Sequence, residues 1–177
     1  MSPSGRDGDL AGARDRDPRG RPRNARPPDE LGRPLPRTAG SDVPRNPDDL
    51  AVTGAEAAAM GGGLLAEGRP FHAHEVFEAA WKSGPPAERD LWQGLAQIAV
   101  GLTHARRGNA RGAVTLLRRG ARRVSDYAGA GDAGQYGINP GFVASRAEDL
   151  AARIERDGPA AIPAADLLLP LRPEQAR

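Results

Sequence analysis

Within the eleven residues FHAHEVFEAAW (71–81) stand two histidines, His72 and His74, two glutamates, Glu75 and Glu78, and Trp81. Imidazole nitrogens and carboxylate oxygens are donors that suit Zn, Mn, Fe or Ni. The chain has no cysteine, so a metal would have to be held by His, carboxylate or amide groups. On a helix His74 and Glu78 are four apart and Trp81 is three further on, so all three project from one side. Glu75 is turned by about 100° from His74, and His72 by about 200°. The four polar groups therefore do not converge, and a complete site needs donors from another element.

The next helical segment offers them. Leu91, Leu95, Ile98 and Leu102 form one stripe, and the opposite side carries Gln93, Gln97, Val100 and His104. Two readings stay open. In one, a small ligand or a divalent transition metal of unspecified identity is held by His74, Glu78, Glu75 and His104, with Trp81, Gln93, Gln97 and His72 in support. If such a site were an enzyme, a metal-activated water with Glu75 as general base is the conceivable chemistry. In the other, a His–Glu pair and glutamine amides form a buried polar network that needs no ion. A zinc-protease helix is excluded, because Glu78 stands where H-E-x-x-H requires its second histidine. The duplicated E-x-x-H of di-iron bundles is missing as well.

A second chemistry is cationic. Between His104 and Asp126 lie seven arginines and no acid before Asp126 itself, and Arg111, Arg118, Arg119 and Arg122 point away from the apolar stripe of their helix. This is either a solvated face or, together with the Arg-rich N-terminal arm, an adaptor surface for a nucleic acid or an acidic protein. Phe71, Phe77, Trp81 and Trp92 are expected to fill core between the second and third helices, which leaves no stacking platform for single-stranded bases.

The elements that must position these residues are helical throughout, with no convincing strand alternation, so the predicted class is all-α. The expected architecture is a compact bundle of about five helices built on a central antiparallel hairpin. The first helix is expected over Ala51 to Glu67, weakened or kinked at Gly61, Gly62 and Gly63, which each cost about 1 kcal/mol against Ala. The second runs from Phe71 to about Lys82 and is stopped by Pro85 and Pro86. The third begins with Glu88 and Asp90 in its first turn and reaches about Arg107. Gly108 suits a left-handed cap and Asn109 caps the fourth, over about Ala110 to Tyr127, with Ala110, Ala113, Leu116, Leu117, Val124 and Tyr127 on its apolar side. So short a turn places the third and fourth helices antiparallel. Asn139 and Pro140 open a fifth, to about Arg156, and an apolar knot from Leu167 to Leu171 is placed to dock on the bundle.

Domain limits follow composition. Residues 1–50 hold nine of the 17 prolines, ten Arg against nine acids and no aromatic residue, which predicts a disordered arm. Residues 51–158 form the helical domain and 159–177 a C-terminal tail. The chain begins without the apolar run of a secretory signal, and no segment approaches the roughly 20 apolar residues that cross a bilayer. The expectation is a soluble cytoplasmic protein without a membrane partner. The net charge of +2, on 24 Arg and Lys82 alone, does not by itself predict nucleic-acid binding. A homodimer through the first or last helix is a further expectation, since a short bundle leaves apolar surface there.

FHAHEVFEAAW followed by LWQGLAQIAVGLTHARRGNARGAVTLLRRG resembles the bacterial and archaeal domain of unknown function 309 family, most closely from Phe71 to Gly120 and more weakly through YGINPGF and the fifth helix. The family hallmark, H-x-x-x-E-x-x-W/Y, is matched by His74, Glu78 and Trp81. Its second segment, Q-G-x-x-Q and then H-x-x-R-G-N, is matched by Gln93, Gly94, Gln97, His104, Gly108 and Asn109. What the resemblance implies is a small all-helical fold and the metal-binding role proposed for that motif. The long Arg/Pro-rich arm and the glycine-interrupted first helix depart from the family pattern.

Overall fold

The computed structural model describes residues 52–129 and 134–173. The expected arm, residues 1–50, lies outside them. Five helices follow in order: α1 (Gly54–Ala66), α2 (Pro70–Ser83), α3 (Arg89–Arg106), α4 (Ala110–Gly129) and α5 (Pro140–Asp157). Short 3-10 turns precede α3 and α5 and follow α5. No strand occurs among the described residues, so the class is all-α.

Each helix packs mainly on its neighbours in the chain, with the most extensive contacts between α3 and α4, then α4 and α5, then α2 and α3. The α3–α4 pairing is antiparallel: Gly94 abuts Gly120 and Val124, Gly101 abuts Leu117, and Gly112 lies beside His104. Gly94 permits this approach, because a Cβ there would fall 2.6 Å from a Val124 methyl and 2.9 Å from the Gly120 carbonyl. The turn between them is as the sequence predicts. Gly108 has φ +76, and Asn109 Oδ1 accepts from the Gly112 amide at 2.9 Å.

The core centres on the leucine stripe of α3 with Phe77 and Trp92, which stack at 6.2 Å, and takes in buried side chains of every helix. Phe71 and Trp81 are only half-buried. Val124, Leu117 and Ala113 of α4 are fully covered, whereas Ala110 and Leu116 of its predicted stripe remain half-buried. The apolar knot docks as expected, with Leu167, Leu169 and Leu171 all buried.

One expectation is corrected. The first helix begins at Gly54, not Ala51, and runs unbroken through Gly61, Gly62 and Gly63. Thr53 and Glu56 close a capping box at its start. Gly61 leaves room for the ring of Phe77, and Gly62 for Leu171. These glycines are packing positions, and the burial they allow outweighs their low propensity.

Candidate functional site

α2 opens with Pro70 at its first position and carries His72, Ala73, Val76, Phe77 and Ala80 into the core. His74, Glu78 and Trp81 are thereby left on an adjacent face, half-buried. That face meets the polar stripe of α3. His74, Glu78 and Trp81 from α2, Gln93 and Gln97 from α3, and Leu116 from α4 line an open cavity of about 220 Å³, with Ala96 and Val100 completing its lining.

Within it, His74 Nε2 lies 3.4 Å from Glu78 Oε2. The other carboxylate oxygen, Oε1, is 2.7 Å from Lys82 Nζ. Glu78 thus serves a different partner with each oxygen. Burial depresses the His74 pKa below its ordinary value; Glu78 acts to raise it, and Lys82 to lower it. His74 is therefore a neutral imidazole at pH 7, with a ring nitrogen free to act as a ligand. Two buried polar atoms here make no hydrogen bond, His74 Nδ1 and Gln97 Oε1. Each such atom costs about 1–3 kcal/mol if nothing occupies the site beside it.

The remaining predicted donors stand elsewhere. His72 is 3% exposed, with its ring edge-on to Phe71 at 5.6 Å, and lies outside the cavity lining. Glu75 is half-buried and also absent from the lining. His104 sits at the end of α3, where its Nδ1 is 3.1 Å from Asn109 Nδ2. Among the described residues no group of three or more His, Asp or Glu is placed to hold a metal ion. A cation in the cavity would therefore have two ionisable ligands and the Gln97 amide oxygen, with water completing its shell.

The predicted basic face divides too. Arg118 makes paired bonds to Glu155 at 3.0 and 2.8 Å and lies 3.7 Å from Glu148, so it clamps α4 to α5. Arg123, which the sequence did not single out, reaches Asp90 at 2.7 Å. Arg111, Arg119 and Arg122 are exposed, with no acid at ion-pair distance among the described residues.

Sequence reasoning missed one polar cluster. Glu88, placed by the sequence as a charge at a helix start, is 6% exposed. Its carboxylate accepts from Trp92 Nε1 at 2.8 Å, Tyr136 Oη at 2.7 Å and Gln135 Nε2 at 3.3 Å. Tyr127 Oη donates to Gln135 Oε1 at 2.6 Å. The signal available was the i, i+4 spacing of Glu88 and Trp92. The Tyr136 partner comes from a loop 48 residues away, which spacing cannot foretell.

Residues 59–116 match the family model described as Domain of unknown function (DUF309). Every residue lining the cavity falls inside that segment, so the sequence resemblance holds where the site is. Over 53 residues the chain is 43% identical to a protein of Bacillus subtilis (strain 168) described as "Uncharacterized protein YpuF". That alignment covers 29% of this chain and 30% of the relative, so the chain spans under a third of the length of the curated relative it matches. No solved structure matches. Among the described residues no helix is long and apolar enough to cross a membrane.

Proposed function

We propose, from the premise that residues 59–116 belong to the domain of unknown function 309 family, that the cavity between α2 and α3 binds one divalent transition-metal cation. His74 Nε2 and Glu78 Oε2 are its ligands and Gln97 Oε1 the available third donor. One observation carries this reading: an imidazole kept neutral, a carboxylate oxygen 3.4 Å from it and an amide oxygen without a partner line the same cavity.

Volume supports an ion over an organic cofactor. Pockets for drug-sized ligands begin at about 300 Å³. A site with so few protein donors keeps positions for water and exchanges its metal readily. Glu75, the conceivable general base, is not in the cavity lining, so no reaction is assigned. The adaptor reading depends on different residues, the arginines of α4, and is independent of this cavity.

Elemental analysis of untagged protein purified without chelator, followed by titration with Zn²⁺ or Co²⁺, tests the reading. The expected result is near-stoichiometric loading of the wild type, loss of it in His74→Ala/Glu78→Ala, and weakening by about tenfold in Gln97→Ala, the scale of a lost supporting contact. A wild type that is metal-free and cannot be loaded, with a double variant that is merely less stable, would make the cluster a structural polar network.

A further inference from the structure

We infer that the outer face of α4 is a docking surface for the sugar–phosphate backbone of a nucleic acid. An open groove of about 940 Å³ runs along α4 beside α5, and five arginines border it: Arg111, Arg118, Arg119, Arg122 and Arg123. Two of the five are consumed by the fold, Arg118 by Glu155 and Arg123 by Asp90. These pairs neutralise two of the three acids in the groove, leaving Asp126 against the three unpaired cations Arg111, Arg119 and Arg122. The free guanidinium groups are thus the ones the bundle does not use.

The lining decides between kinds of partner. Protein interfaces draw most of their anchoring from aromatic residues together with arginine, and among the described residues no aromatic side chain lines this groove. Lipid binding is strengthened by apolar anchors beside the charge, and among the described residues the exposed large apolar side chain is Met60, on α1 and not in this groove. A nucleic-acid backbone requires neither. It requires positive charge beside its phosphates, and arginine supplies that charge permanently, on a planar fork that matches two phosphate oxygens where lysine acts as a point charge. Arginine contacts to phosphate oxygens fix the position of a duplex and carry no sequence information themselves. Arg111 and Arg122 are eleven residues apart, roughly 16 Å along the helix. A duplex carries one charge per about 1.7 Å of axis, so the stripe faces several phosphates at once.

Three released counterions give a slope of log affinity against log salt of about −2.7, which is about a 40-fold loss between 50 and 200 mM salt. The test uses the full chain and a 20-base-pair duplex of arbitrary sequence, with polyglutamate and anionic phosphatidylserine vesicles as competing probes. Wild type is compared with Arg111→Gln/Arg119→Gln/Arg122→Gln, whose helicity and urea midpoint should be unchanged because these side chains hold no partner. Comparing the two proteins isolates the groove from arginines elsewhere in the chain. A loss of tenfold or more at 50 mM salt, with a slope shallower by about 2–3, supports the proposal. It is overturned if the wild type does not bind the duplex, if the triple variant binds within threefold, or if polyglutamate or the vesicles bind as tightly with the same dependence on the three arginines.

Discussion

At the scale of single residues, the divided carboxylate of Glu78 decides how a cation would bind. Lys82 already holds one oxygen at 2.7 Å and leaves the other for His74. An exposed i, i+4 pair of this kind contributes about 0.3–0.5 kcal/mol, but its positive charge also opposes a metal a few ångströms away. Lys82→Met should therefore tighten Zn²⁺ binding by about two- to tenfold, measured by competition with a chromogenic chelator, and unchanged affinity would show that Lys82 does not act on the site. His74 gives a pH dependence of definite sign. Its pKa in the fold lies below the ordinary 6.5, chiefly because it is buried. Stability from the neutral ring is fully present above about 6.5 and is lost as pH falls through the folded value, because the unfolded chain takes up its proton first. Urea midpoints at pH 7 and pH 5 should fall further for the wild type than for His74→Gln, and parallel falls would count against it. His74, Glu78 and Trp81 were legible in the sequence because helical spacing alone puts them on one side, and Gln93 and Gln97 because they oppose a leucine stripe. His104 was not, since its fate depends on how Asn109 folds back across the turn.

At the scale of elements, glycine is where sequence and structure part. Propensity treats Gly61, Gly62 and Gly63 as three equal weaknesses in α1, yet their surroundings differ completely. A Cβ on Gly61 would enter the ring of Phe77, which is fully buried and stacked on Trp92. A Cβ on Gly63 meets nothing within 4 Å. Gly61→Ala should thus destabilise the protein by about 1–3 kcal/mol through overpacking. Gly63→Ala should stabilise it by about 0.5–1 kcal/mol by removing backbone freedom from the unfolded chain. Urea unfolding of the two variants checks both signs, and equal effects would return α1 to the simple propensity account. Helix limits were legible to within a few residues because Pro85 and Pro86 stop α2 while Asn109 and Pro140 fix helix starts by local chemistry. The continuity of α1 was not, because it depends on a ring and a leucine contributed by distant parts of the chain.

At the scale of the whole molecule, the Glu88 cluster joins segments that nothing else in the sequence marks as neighbours. Tyr136 reaches Glu88 from the segment between α4 and α5, lies 5.8 Å from the ring of Trp92, and occupies the space left by Gly54 at the start of α1. It does so with φ +57, a conformation that costs an aromatic residue about 1–3 kcal/mol and persists because its surroundings demand it. The hydrogen bond to Glu88, with burial adding to it, raises the Tyr136 pKa, so the phenol stays protonated as donor. Glu88→Ala would leave the Trp92 and Tyr136 donors without their acceptor and should cost about 2–4 kcal/mol, whereas Glu88→Gln keeps one acceptor oxygen and should cost less. A cycle combining Glu88→Gln with Tyr136→Phe should give a coupling of about 0.5–3 kcal/mol, as expected for two partners in one network. The cluster and the cavity between α2 and α3 share no residue, since Trp92 turns inward where Gln93 turns to the cavity. Glu88→Gln should accordingly lower the urea midpoint while leaving Zn²⁺ affinity within about twofold. If affinity falls in step with stability, the cavity geometry is set by this clasp across the bundle, and the proposed cation site depends on the whole fold and not on the α2–α3 pair alone.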